Sequence, residues 1–150
     1  MPRFRILIAL AVAACAIAVT TSAAAARSPE MLMIHKVNHY RHLHGLRSVR
    51  VSHSLMHSAK SYAHWEMRHG YFGHQSRIHA SGRYRRLGEI LEWQRGLSSN
   101  VRLAFQTWKH SGPHRAIMLD RKFTYVGAGH VSGRFRGRKA CLWVMHFGRP

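Results

Sequence analysis

Apolar positions recur along the chain with two different periods. In MLMIHKVNHYRHLHG, residues 31–45, Met33, Val37 and Tyr40 fall at i, i+4 and i+7, the spacing of one helical face, and Gly45 supplies a stop. LRSVRV then leads to Ser52, an N-cap residue. From there HSLMHSAKSYAHWEMRHG sets Leu55, Ala59, Tyr62, Ala63 and Met67 on one face before Gly70. A third helix is predicted from about Ser99 to His110, with Val101, Ala104, Phe105 and Trp108 inward. Ser111-Gly112-Pro113 breaks it, and a short helix runs on through Leu119. Between the second and third helices, Gly70, Gly73, Gly82 and Gly88 mark an ordered loop region, and GEILEW (88–93) reads as a short strand. FTYVGAGHV (123–131) and ACLWVMHFG (140–148) flank a basic, glycine-containing loop and predict an antiparallel hairpin. Helices first, a loop-rich middle and a terminal hairpin make an α+β layered domain.

The first 26 residues read differently. Arg3 and Arg5 precede an apolar run from Ile6 to Thr20, and Ala24 and Ala26 form a small-x-small site before Arg27. This is the layout of a secretory signal peptide, shorter than the roughly 20 residues that span a bilayer. Val12-Ala13-Ala14-Cys15 also resembles a lipoprotein cleavage box, but the apolar run continues past Cys15 and argues against processing there. The expected division is therefore 1–26 signal peptide and 27–150 a single domain, with no transmembrane segment once the signal is removed. The expected place is outside the cell or in the envelope, and the expected state a monomer.

Charge narrows the partners. Cleavage would remove Arg3 and Arg5 from the 24 Lys and Arg and none of the 5 Asp and Glu, leaving 22 against 5, a net +17. Such a surface attracts anionic envelope polymers. Only RYRR (83–86) and RFRGRK (134–139) are dense, so the arginines are scattered rather than striped, and export argues against specific nucleic-acid recognition. Cleavage also leaves one cysteine, Cys141, which cannot form an internal bridge; the fold must rest on its core.

Of the 14 histidines, His35, His39 and His42, and then His53 and His57, lie at helical spacing. An i, i+4 pair can chelate a metal, but no Asp or Glu sits nearby to complete a ligand set, and a solvated stripe is the simpler expectation. Each of the few acids is informative. Glu30 and Asp120 fall near element ends, Glu66 is expected to pair with an arginine, and Glu89 opens an apolar stretch as either a paired buried anion or a site residue. A strand would turn Glu92 to the opposite face. Ser111 and Cys141 have no nucleophile setting: there is no G-x-S-x-G elbow, no H-E-x-x-H and no paired Asp.

Taken together and in order, several pieces resemble a known family. They are N-x-x-R followed by HG (38–45), L-x3-A-x3-A (55–63), G-Y-F-G-H-Q-S (70–76), G-E (88–89), W-x-x-S-G-P-H-R (108–115), F-x-x-V-G-A-G (123–129) and L-W-V-M-H-F-G (142–148). The chain is similar to a bacterial CAP domain, also called an SCP domain, of the cysteine-rich secretory, antigen 5 and pathogenesis-related superfamily. The resemblance implies a three-layer α/β/α sandwich with a small antiparallel sheet. It also implies a cleft of two histidines and two glutamates that holds a divalent cation such as Zn2+ in some members. Matched residue by residue, it assigns His74, Glu89 and His114 as metal-site residues, with Ser111, Arg115, Asn38 and Arg41 supporting the cleft and Arg115 pairing with a carboxylate or carbonyl.

The match is incomplete in ways that bear on chemistry. Ser111 stands where the second glutamate would be, and Ile90 where many members have asparagine. Two histidines and one carboxylate could still hold a metal with an open position, but the general base that would activate its water is missing. The leading expectation is a secreted module whose cleft binds a divalent cation or small ligand. The alternatives are a metal-dependent hydrolase of peptide or cell-wall substrates, against which the missing base weighs, and a cationic adhesion protein for anionic envelope polymers.

Overall fold

The computed structural model describes residues 28–80 and 84–150; the signal-peptide and Cys15 readings lie outside them. Within them run α1 (Pro29–Leu43), β1 (Arg50–Val51), α2 (His53–His69), β2 (Arg86–Arg95), α3 (Val101–His110), α4 (Gly112–Met118), β3 (Tyr125–Phe135) and β4 (Arg138–Arg149). Ser28, Ser52 and Asn100 cap the first three N-termini, accepting from the backbone N–H groups of Met31, Leu55 and Leu103. Gly70 ends α2 in the left-handed region, at φ 58°.

The strands lie in the order β1-β3-β4-β2. β4 pairs antiparallel with both β3 and β2, while the two-residue β1 adds to β3 in parallel, so the sheet is antiparallel but for one short edge. The hairpin is tighter than its sequence suggested. Arg136 and Gly137, at φ 48° and 79°, alone join Phe135 to its partner Arg138, and the predicted basic loop becomes mostly strand.

Alternation along β4 builds the layers. Cys141, Trp143, Met145 and Phe147 join α1, α3 and Ile90 in the larger core, with Met33, Val37, Tyr40, Ala104 and Trp108 inside it. Leu142 and Val144 face the other way; Val144 packs with Ala59, Tyr62 and Ala63 of α2. The result is the α/β/α sandwich, with α2 alone on one face. It sits unusually close to β3, because a Cβ on Gly127 would overlap the backbone of Leu55 and Met56, and one on Gly129 the backbone of Lys60. Those two glycines let helix backbone lie directly on strand.

Arg41 and Asn38 hold connections between elements. The buried Arg41 guanidinium donates to the carbonyls of Arg47, Met118, Asp120 and Phe123. Asn38 clamps Val49, donating from Nδ2 to its carbonyl and accepting from its N–H. Both side chains answer backbone groups left open where irregular chain crosses the end of the larger core.

Candidate functional site

Glu89 lies on the α2 side of β2, opposite His146 of β4. The same face carries Leu91 and Val144, and Glu92 turns to the other face toward Thr107, as strand alternation requires. The Glu89 carboxylate is 5 % exposed, and four donors reach its two oxygens. Oε1 accepts from His74 Nδ1 at 2.9 Å and from the Gln75 backbone N–H at 3.2 Å. Oε2 accepts from Gln75 Nε2 at 2.7 Å and from His146 Nε2 at 2.9 Å. Burial alone would push this carboxyl's pKa up; the bonds from His146, Gln75 and His74 outweigh it and hold the group below the ordinary carboxylate range.

The loop that supplies His74 and Gln75 is anchored at Gly73 by a second acid. Glu66, fully buried on α2, accepts from the Gly73 N–H at 3.1 Å, and the Tyr62 hydroxyl donates to the Gly73 carbonyl at 2.6 Å. Glu66 was expected to pair with an arginine, but it takes a backbone N–H instead because its helical position points into the protein. Its Oε2 has no hydrogen-bond partner. Burial, opposed by the Gly73 bond and aided by the nearby Glu89 charge, pushes its pKa up to about 7. Two of the other acids have basic partners. Glu30 pairs with His130 at 2.7 Å, which with its other bonds outweighs burial and lowers its pKa to about 2, and Asp120 pairs with Arg86 at 2.8 Å.

His114 begins where the chain turns from α3 into α4. Ser111 serves both helices through its backbone: its N–H closes α3 and its carbonyl accepts from Arg115 N. Its side chain makes no cap bond. The Arg115 side chain is exposed and pairs with no carboxylate or carbonyl among the described residues, contrary to the sequence expectation; Arg86, on the neighbouring strand, takes Asp120 instead. His114 Nδ1 is buried without a hydrogen-bond partner. Burial, and then the charge of nearby His74, lower the pKa of this ring, so it is neutral at pH 7 and retains a lone pair.

The donor chemistry can be tested against a divalent cation. In its neutral form His74 gives its Nδ1 hydrogen to Glu89 and keeps a lone pair on Nε2, on a side chain 63 % exposed. His114 has its unpartnered Nδ1. Each of the two imidazoles thus has a nitrogen outside any hydrogen bond, and Glu89 is the carboxylate that orients one of them from behind. Both oxygens of Glu89 already have donors, and among the described residues no group of three His, Cys, Asp or Glu is placed to hold a metal ion.

His146, Gln75 and Glu66 were not singled out as site residues, yet each left a trace. His146 interrupts the apolar run ACLWVMHFG, and a histidine inside a core strand needs a partner. Glu66 falls four residues after Tyr62, on the stripe that the apolar pattern had already turned inward. Gln75 offered only its place beside His74.

A three-layer α+β domain with a carboxylate-centred histidine cluster at one side of its sheet defines the class. The chain belongs to the CAP family, the cysteine-rich secretory protein family, whose model matches residues 34–147. The fold is similar to that of an outer surface protein from Borrelia burgdorferi, with TM-score 0.67 and 15 % identity over 83 % of this chain and 94 % of that one. It is similar also to an extracellular SCP-domain protein from Bacillus anthracis, with TM-score 0.66 and 20 % identity over 81 % and 40 %. A cysteine-rich secretory protein from Staphylococcus aureus gives 0.60 and 19 % over 81 % and 39 %. The chain thus spans about two fifths of the length of the Bacillus and Staphylococcus proteins. No curated protein matches the sequence. Among the described residues no helix is long and apolar enough to cross a membrane.

Proposed function

We propose that the protein is an extracellular binding module of the CAP family whose cleft takes a divalent cation, zinc by its donor set, or a small ligand in its place. The names of the Bacillus and Borrelia proteins support the location. The observation that carries the cleft reading is the buried, unpartnered Nδ1 of His114, on a ring kept neutral beside His74. An enclosed imidazole nitrogen without a partner is costly until a ligand uses it. His74 and His114 would hold the ion, and Glu89 would keep the His74 ring in the tautomer that offers Nε2.

Binding is favoured over hydrolysis by the state of Glu89. A general base needs a free lone pair within reach of a water, and this carboxylate spends both oxygens on four donors.

Zinc titration by calorimetry tests the reading. His74→Ala with His114→Ala should abolish the binding event, whereas His35→Ala with His42→Ala should leave it intact. Unchanged uptake in the first pair would overturn the cleft assignment. Glu89→Gln separates the roles: a carboxylate acting through His74 predicts a loss of about 10–100-fold in affinity rather than abolition.

A further inference from the structure

The outward side of α2 carries a groove that reaches the candidate site, since His74 and Gln75 line one part of it, and runs well beyond it. α2 and the chain from Tyr71 to His79 enclose an open groove of about 720 Å³. Its aromatic wall is pre-assembled: Trp65 stacks on Tyr62 and on His69, and Tyr71 meets it edge-on at 5.6 Å, with Trp65 and Tyr71 still 40 % and 43 % exposed. Arg68 and Arg77 stand along it, exposed, with no hydrogen-bond or ion-pair partner among the described residues. A shallower groove of about 340 Å³ continues along the same helix, and it shares His57, Ser61 and Arg68 with the first while adding Lys60 and His64.

The charge along this strip is not balanced from within. No Asp or Glu lines either groove. The protein has five acids, and all lie elsewhere: Glu30 pairs with His130, Glu66 accepts from Gly73, Glu89 from His74, Gln75 and His146, Asp120 pairs with Arg86, and Glu92 is on the opposite face of the sheet. The basic positions His57, Lys60, His64 and Arg68 recur at helical spacing over roughly 17 Å of axis, the length of a chain rather than of a single ion.

We propose that this groove is a binding site for an anionic polysaccharide, a sugar polymer bearing carboxylate or sulfate groups. Arg68, Arg77 and Lys60 meet the anionic groups. Tyr71 and the rim of Trp65 pack against the apolar ring faces of the sugars, and Ser61 and Ser76 exchange hydrogen bonds with sugar hydroxyls. A lipid surface fits less well because the aromatic groups line a concavity rather than project from the protein. Nucleic acid fits less well because the stacks with Tyr62 and His69 already occupy the Trp65 ring on which a base would lie.

The test is affinity measured in 150 mM salt with EDTA present, so that it is independent of the cation reading. The probes are a heparin dodecasaccharide, an oligogalacturonate, neutral dextran, oligo-dT and phosphatidylglycerol vesicles. The heparin and galacturonate arms separate sulfate from carboxylate as the recognised group, and tight binding of either supports the site. Arg68→Gln with Arg77→Gln should weaken it at least tenfold. Arg102→Gln with Arg121→Gln, two exposed arginines that do not line the groove, should change it less than twofold. Tyr71→Ala should weaken it severalfold at unchanged salt dependence. Equal losses in both arginine pairs, no effect of Tyr71→Ala, or tighter binding of dextran, oligo-dT or vesicles would each overturn the assignment. All substituted side chains are exposed, and thermal melts confirm folding.

Discussion

His146 donates from Nε2 to Glu89 Oε2 at 2.9 Å, straight across the β2–β4 ladder, with the His146 side chain fully buried. A charge placed on an inward face of the sheet is thus matched from the strand beside it.

His146→Leu should therefore act through Glu89. Removing one of four donors to a buried carboxylate costs about 1–3 kcal/mol. Glu89 is held below its ordinary pKa, so its bonds stabilise the fold above the unfolded value near 4.5 and lose that effect as pH falls through the lower folded value. The destabilisation, read by urea unfolding, should be largest near neutrality and shrink in acid.

Glu66→Gln should do the reverse. Its folded pKa of about 7 stands above 4.5, so ionisation costs the folded state stability as pH rises between those values and the full cost is present above 7. Glutamine keeps an acceptor for Gly73 and removes the charge. The variant should match the wild type near pH 4.5 and exceed it by about 3 kcal/mol at pH 8. A constant difference across this range would mean that Glu66 does not titrate inside it.

Gly129→Ala should cost roughly 3 kcal/mol or more, because the added methyl meets the α2 backbone at Lys60 rather than a side chain that could swing away. Gly112→Ala, where nothing lies within 4 Å of the new Cβ, should change stability by less than about 1 kcal/mol. Thermal melts of the two variants give the contrast.

Arg41→Met should lower stability by about 3 kcal/mol or more, since it strips donors from buried carbonyls at Met118 and Phe123. Arg41→Lys should recover only a minor part, because one ammonium cannot reproduce a fork that serves four carbonyls. Zinc affinity of the folded Lys variant should be unchanged, separating its role from that of His74 and His114.

The helices were legible because their apolar residues repeat over two or more turns and, for α2, the ends carry Ser52 and Gly70, local signals that need no partner. The layered fold followed from element order and from the family motifs. The parallel pairing of β1 was not legible: two exposed residues carry no period, and their partners, Tyr125 and Val126, lie far along the chain. The same reason hid the centre of the site. His74 and Glu89 could be picked out by motif. That Glu89 would be saturated by Gln75 and His146 depends on the β2–β4 register, which only the folded sheet fixes. The partners of Arg41 were hidden for a related reason, since a motif marks a position without saying which carbonyls come to it.

The order of the strands has a consequence for how the protein is made. β4 sits between β3 and β2 and comes last, ending at Arg149. Arg86 and Arg138, the first residues of β2 and β4, lie 52 positions apart, and over that span β2 has no strand to pair with. The sheet, and with it the Glu89 cluster, cannot close before β4 is present. Non-local pairing of this kind slows folding, so the strand that completes the sheet also completes the site.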